Sequence, residues 1–173
     1  MRSIGLAASA ALLLVSGNLQ AQSNVRPAAP VRSPETIMKS VSEADLKALV
    51  LAEGYTIDMM HPDDAPSVRG KTKEGHKFVL RGTACDVEGV AGCQGIMMQV
   101  RYDSDDAVTL EKINQVNIEQ GAISAWFDVP GKTFGFTRYV VLDDGVTWMN
   151  IRQNLRVLLS IDPIALKTVW TDL

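Results

Sequence analysis

The sequence predicts an α+β domain, an antiparallel sheet of about six strands covered by three helices in the order α-ββββ-α-ββ-α. Three observations predict it. Segments of alternating polarity recur at hairpin spacing, amphipathic helical stretches precede and interrupt them, and a long helical pattern closes the chain. Short connections favour antiparallel pairing, and a sheet that is apolar on one face needs helices to cover it.

The first helix is expected to start at Ser42 as N-cap, with Glu43 and Asp45 in its first turn, and to stop at Gly54. Leu46, Leu49 and Val50 form its apolar stripe. Tyr55 to Met60 then alternates as a strand, and His61-Pro62-Asp63-Asp64 reads as a turn. Ser67 to Thr72 is the second strand, and Glu74-Gly75 turns into the third, His76 to Ala84, where Phe78, Leu80, Gly82 and Ala84 share a face. Ile96, Met98, Val100 and Tyr102 share a face of the fourth.

A second helix is expected from Leu110 to about Gln120, capped by Thr109 and stopped by Gly121. Leu110, Ile113, Val116 and Asn117 should line one side of it. Two strands follow, about Ala122 to Val129 and Thr133 to Leu142, joined at Pro130-Gly131-Lys132. Trp148, Ile151, Leu155, Leu158, Leu159, Leu166, Val169 and Trp170 then recur at helical spacing. Pro163 lacks a backbone donor, which predicts a kink or a fresh helix start with Asp162 as N-cap.

Residues 1–21 have the layout of a secretory signal: Arg2, an apolar run from Ile4 to Val15, and a small-residue end at Ala21. The run is shorter than the ~20 residues of a spanning helix. Because the first cysteine, Cys85, lies far beyond the apolar run, no membrane anchor of the lipoprotein kind is expected after cleavage. Residues 22–38, with Pro27, Pro30 and Pro34, read as a flexible tether, and residues 39–173 as the domain. The expected location is periplasmic or secreted. The net charge of −3 over 173 residues becomes −4 on loss of Arg2, and cationic residues are scattered, which argues against nucleic acid.

In an exported protein, Cys85 and Cys93 are expected to form a disulfide that clamps the base of a hairpin loop, worth about 2–3 kcal/mol on chain-entropy grounds. Seven residues separate them and no helix start adjoins them, unlike a redox-active pair.

The stretch Val108-Thr109-Leu110-Glu111-Lys112-Ile113-Asn114-Gln115-Val116-Asn117 resembles a helix of the YbjN-domain family of bacterial proteins, labelled sensory transduction regulators. Cys85 and Cys93 ahead of Ile96 to Tyr102 are similar to that family's cysteine-bearing hairpin, and the resemblance covers roughly residues 42–160. It implies a fold similar to type III secretion chaperones, which bind other proteins and commonly dimerise, and it implies no catalytic residues. An exported chain would carry over the binding fold rather than the cytosolic chaperone role.

Asn114 and Asn117 form a polar pair three apart on the second helix, and amides there can reach across to satisfy sheet or loop backbone. Trp126 alternates against Ile123, Ala125 and Phe127; if those three face the core, Trp126 faces out, unless the last helix or the tether covers it. On the next strand either Thr137, Tyr139 and Val141 or Phe136, Arg138 and Val140 face outward. Trp126 with Tyr139 is therefore the candidate partner-binding pair, since aromatics dominate interface hot spots.

No cofactor or metal is expected. His61 and His76, the only histidines, have no ligand set at metal spacing. Asp103, Asp105 and Asp106 start like a calcium loop, but Val108 and Asn114 stand where it needs Gly and Glu. Gly70-Lys71-Thr72 and Gly131-Lys132-Thr133 lack the earlier glycine of a phosphate loop, Ala65 and Trp126 standing in its place. The sequence thus points to a non-enzymatic binding or regulatory module acting through a protein partner or self-association. The alternative is a small-molecule sensor or carrier with a pocket between sheet and helices.

Overall fold

Alternation decides the architecture. Val68, Phe78, Leu80, Ile96, Met98, Val100, Phe134, Phe136 and Val140 occupy one phase of their strands and all are buried. The computed structural model, which describes residues 31–59 and 65–171, gathers them on one face of a six-stranded sheet. The signal segment, residues 22–30 of the tether and the turn His61-Pro62-Asp63-Asp64 lie outside the described residues.

The elements are β1 (Ile37–Met38), α1 (Glu43–Ala52), β2 (Thr56–Met59), β3 (Ser67–Lys71), β4 (Lys77–Cys85), β5 (Cys93–Asp103), α2 (Leu110–Glu119), β6 (Ser124–Asp128), β7 (Thr133–Val141), β8 (Val146–Thr147) and α3 (Trp148–Trp170). The large sheet runs β2-β3-β4-β5-β7-β6, antiparallel throughout. Leu46 and Leu49 of α1, Ile113 and Val116 of α2, and Ile151, Leu155, Leu158 and Val169 of α3 close over its apolar face. Each such side chain contributes about 1.5–3 kcal/mol by leaving water.

Local chemistry sets the helix ends. Ser42 and Asp45 form a reciprocal capping box: the Asp45 N–H donates to Ser42 Oγ, and Asp45 Oδ2 accepts from the Ser42 N–H at 2.9 Å. Gly54, at φ +74°, takes the left-handed turn that ends α1, where the Tyr55 N–H donates to Val50 O. Thr109 and Thr147 cap α2 and α3 in the same side-chain manner.

Three expectations are corrected. The tether does not reach residue 38: β1 pairs with β8, Thr36 and Pro34 carbonyls accept from the Trp148 and Met149 N–H groups, and Arg32 donates to Asp45. These contacts make residues 32–38 part of the domain. Secondly, of the kink or fresh start expected at Pro163 the fresh start does not occur: α3 runs through the proline, and Asp162 is no N-cap; its carboxylate is buried and accepts from Tyr102. Pro163 cannot donate to the Leu159 carbonyl, but packing on both sides of it keeps the helix going. Thirdly, Leu110 is exposed and Lys112 is buried in its place. The Lys112 stem lies against the core while its ammonium donates to Ala107 O at 3.1 Å.

Candidate binding face

Among the described residues no helix packs on the opposite face of the sheet. Since directly paired residues share a face, the strand register fixes its rows: Arg69, Val79, Gln99, Thr137 and Ser124; Ser67, Arg81, Met97 and Tyr139; and Lys71 with Lys77, continuing through Arg101 and Gly135 to Trp126. Thr137, Tyr139 and Val141 are thus the outward set of β7, while Phe136, Arg138 and Val140 face the helices. Arg138 ties the sheet to α3 by donating to Asn154 Oδ1 at 2.5 Å, and it also donates to the Ala122 carbonyl.

Two glycines let the aromatics lie down on this face. A Cβ at Gly135 would meet the Trp126 ring at 2.6 Å, and one at Gly95 would meet the Tyr139 hydroxyl at 2.2 Å. Each ring therefore lies across a bare backbone rather than standing in solvent. Trp126 Nε1 donates to Thr137 Oγ1 at 3.0 Å, and the Arg101 guanidinium sits 5.1 Å above the ring centroid. The Tyr139 hydroxyl bonds Thr83 Oγ1 at 2.7 Å, with about half of the residue exposed. Trp126 and Tyr139, on the adjacent strands β6 and β7, share the face with Met97, which pairs with Tyr139 from β5, but Trp126 is half-buried under Arg101. Toward β3, Ser67, Arg69, Lys77, Val79, Arg81, Met97, Gln99, Arg101 and Asp103 line a depression of about 670 Å³.

The polar pair of α2 divides. Asn117 bridges the free edge of β6, its Nδ2 donating to Ala125 O at 3.1 Å and its Oδ1 accepting from the Ala125 N–H at 2.7 Å. It acts as a one-residue substitute strand on an edge that would otherwise stay open. Asn114 is exposed on the outer side of α2. Cys85 and Cys93 are disulfide-bonded across paired positions of β4 and β5, closing the loop that holds the short 3₁₀ turn Val87–Gly89.

A second constellation, missed in the sequence, lies where α3 crosses the sheet. The Tyr102 hydroxyl donates to Asp162, 2.6 and 2.7 Å from its two oxygens, and His76 Nδ1 lies 3.6 Å from Asp162 Oδ2. Burial pushes the Asp162 carboxyl above its ordinary value, against the opposing pull of Tyr102 and His76. Burial, then the hydrogen bond and charge of Asp162, hold the Tyr102 phenol far above its own. His76 borders an open groove of about 330 Å³ with Tyr55, Thr72, Glu74, Arg156, Leu159, Ser160 and Pro163. Arg152 and Arg156 meet there on one carboxylate, Glu53. Among the described residues no group of His, Cys, Asp and Glu has the arrangement of a metal site, and no helix is long and apolar enough to cross a membrane.

Residues 42–161 match the YbjN family model, described as "Putative bacterial sensory transduction regulator". The chain belongs to the YbjN family. Its matched span opens at the capping Ser42 and closes one residue before Asp162, so β1 and the end of α3 lie outside it. Among solved structures, YbjN from E. coli, described as a putative transcription regulator, superposes with a TM-score of 0.51 at 9% identity, covering 75% of this chain and 96% of that one. The ExsC–ExsE complex gives a TM-score of 0.50 at 11% identity, covering 70% of this chain and 88% of that one. At these identities the likeness is one of fold. No curated protein matches the chain.

The outward residues of the face, apart from Trp126 and Tyr139, were not singled out from the sequence. The signal was present in the phase opposite to Phe78 and Leu80, where Lys77, Val79, Arg81 and Thr83 alternate. For Tyr102, Asp162 and His76, which are far apart in the chain, no local pattern could have found them.

Proposed function

We propose that this YbjN-family protein is an exported, non-enzymatic binding module that holds a polypeptide on the helix-free face of its sheet. The carrying observation is that face itself, a surface of six strands with Trp126, Tyr139, Met97 and Val141 presented among polar residues. Rigid aromatics laid on a rigid sheet lose little entropy when a partner covers them. Family membership supports a regulatory role, and the likeness to a complex of two proteins, ExsC with ExsE, agrees with protein contact as the mode of action. The secretory layout of residues 1–21 and the Cys85–Cys93 bond support a periplasmic or secreted location.

The test places a photo-crosslinking residue at Tyr139 and, as control, at the exposed Ile164 of α3, in protein expressed with its own leader. Periplasmic adducts on a polypeptide at position 139 and not at 164 are expected, with a mature N-terminus at Gln22. Equal labelling at both positions, or retention of the leader in the cytosol, would overturn the reading. Adducts joining two copies of the chain would identify the partner as a homodimer.

A small-molecule role has one observation in its favour, the groove beside His76. Its volume of about 330 Å³ lies at the low end for ligand pockets, which run about 300–1,000 Å³, and it is open and of mixed polarity rather than enclosed and apolar. The sheet face is the stronger candidate.

A further inference from the structure

Lys71 and Lys77 stand directly opposite one another across β3 and β4. Like charges in that position destabilise a sheet. Arg101 continues the same row on β5, one step beyond the Val79–Gln99 pair, and the row ends on Trp126. Arg69 stands in the next row and Arg81 in the one beyond it, each already engaged in an interaction. Against these cations, Lys77 has Asp58 at 3.7 Å, and among the described residues no carboxylate lies within ion-pair distance of Lys71 or Arg101. On a chain whose net charge is −3, this row gathers cations near the strand ends of the helix-free face, beside the row Asp103, Thr133 and Asp128. On the lining of the depression Lys77, Arg101, Arg69 and Arg81 outnumber the carboxylate of Asp103, which leaves the balance there positive.

We infer that the occupant of this face is an acidic polypeptide segment, its carboxylates seated along Lys71, Lys77 and Arg101 and its apolar side chains on Met97, Val79 and Tyr139. The inference rests on the proposed polypeptide-binding role and adds the chemistry of the partner. Arg101 is suited to a carboxylate because its guanidinium is held over Trp126, so its planar fork is positioned before binding; its hydrogen bond to Gln99 Oε1 is long, at 3.4 Å. A nucleic acid fits the same charges less well. The Trp126 ring has the Gly135 backbone beneath it and the Arg101 guanidinium above it, so a base could stack there only by displacing Arg101. Met97, Val79 and Tyr139 lie beside the cationic row rather than in line with it, which suits a chain whose neighbouring side chains differ in polarity.

The experiment measures fluorescence anisotropy of the mature, disulfide-bonded protein with three labelled peptides of equal length, in which Glu, Gln or Lys alternates with Leu and Phe. The Glu peptide is expected to bind at least tenfold more tightly than the Gln peptide and the Lys peptide not to bind, with affinity falling about tenfold as ionic strength shortens the Debye length from ~10 to ~3 Å. Lys77→Glu with Arg101→Glu should reverse the preference toward the Lys peptide, while the far-ultraviolet spectrum and melting temperature report whether the fold is kept. Arg101→Lys, which keeps charge and loses the fork, should weaken the Glu peptide alone.

Equal binding of all three peptides, lost on Tyr139→Ala, would overturn the acidic partner while leaving polypeptide binding in place. No binding of any peptide, with no adduct at position 139, would remove both. Single-stranded DNA of matching charge binding as tightly as the Glu peptide would overturn the choice of polypeptide. A concentration-dependent doubling of mass, abolished by Lys77→Glu, would replace the acidic segment with a second copy of the chain.

Discussion

The two faces of the sheet are built from the same strands, yet they follow different rules. Phe78, Leu80, Ile96, Met98, Phe134 and Phe136 point to one side and are closed over by three helices; Lys77, Val79, Arg81, Met97, Gln99 and Arg101 alternate with them and meet solvent. On the covered side every volume is fixed by a neighbour, so change is penalised by cavities. On the open side each residue answers to charge and to whatever docks there. The difference shows that one strand can carry stability and recognition at once, one residue apart.

Truncating the covered side should have the largest effect. Phe134→Ala removes a fully buried ring packed against Tyr102, Phe136 and Trp170, and a loss of about 3–5 kcal/mol in urea unfolding is expected. A loss under about 1 kcal/mol would mean that the helices do not close the core as described. Next in size is the staple at the end of β4 and β5. Cys85→Ser with Cys93→Ser should lower stability by about 2–3 kcal/mol and leave peptide binding on the open face within twofold, since it constrains the unfolded chain.

Asp162 gives a sharper test, because it places a carboxylate on the covered side. Its native pKa lies above the ordinary 3.8, so the fold favours the protonated form; that contribution is full below the unfolded value and fades as pH rises through the raised native one. Asp162→Asn should therefore flatten the pH dependence of the melting temperature in that window. An unchanged slope would assign the pH dependence to other groups. Tyr102→Phe, which strips the carboxylate of its short hydrogen bond, should cost about 1–3 kcal/mol at neutral pH. Asn117→Ala should cost about 1–2 kcal/mol and speed amide exchange at Ala125, the residue whose backbone it holds. The smallest effect belongs to the open side: Arg101→Ala should change stability by less than about 0.5 kcal/mol, and a larger loss would make the residue structural rather than part of a binding surface.

The same contrast explains what could be read in advance. The covered phase was legible because helices demand an unbroken run of apolar side chains, and Ser42, Thr109 and Gly54 mark helix ends by backbone chemistry that needs no tertiary partner. The open phase was only partly legible. Trp126 and Tyr139 stood out as aromatics, whereas Lys71, Lys77 and Arg101 become a row only when register sets three strands side by side. Asp162-Pro163 carried a helix-start signature, and the Tyr102 hydroxyl, sixty residues away in the chain, claimed the carboxylate instead. Ile37–Met38 is too short to show any period, so its pairing with Val146–Thr147 left no trace in the sequence.

That last pairing governs the order in which the domain can be finished. A chain that emerges amino-terminus first, whether from a ribosome or through a translocation pore, presents residues 34–38 long before Val146 to Met149, the residues they bind. Until α3 has followed, the first segment has no counterpart and the sheet lacks its longest cover. Completion therefore waits for the far end of the polypeptide, so that closure of the domain is delayed until nearly the whole molecule is available.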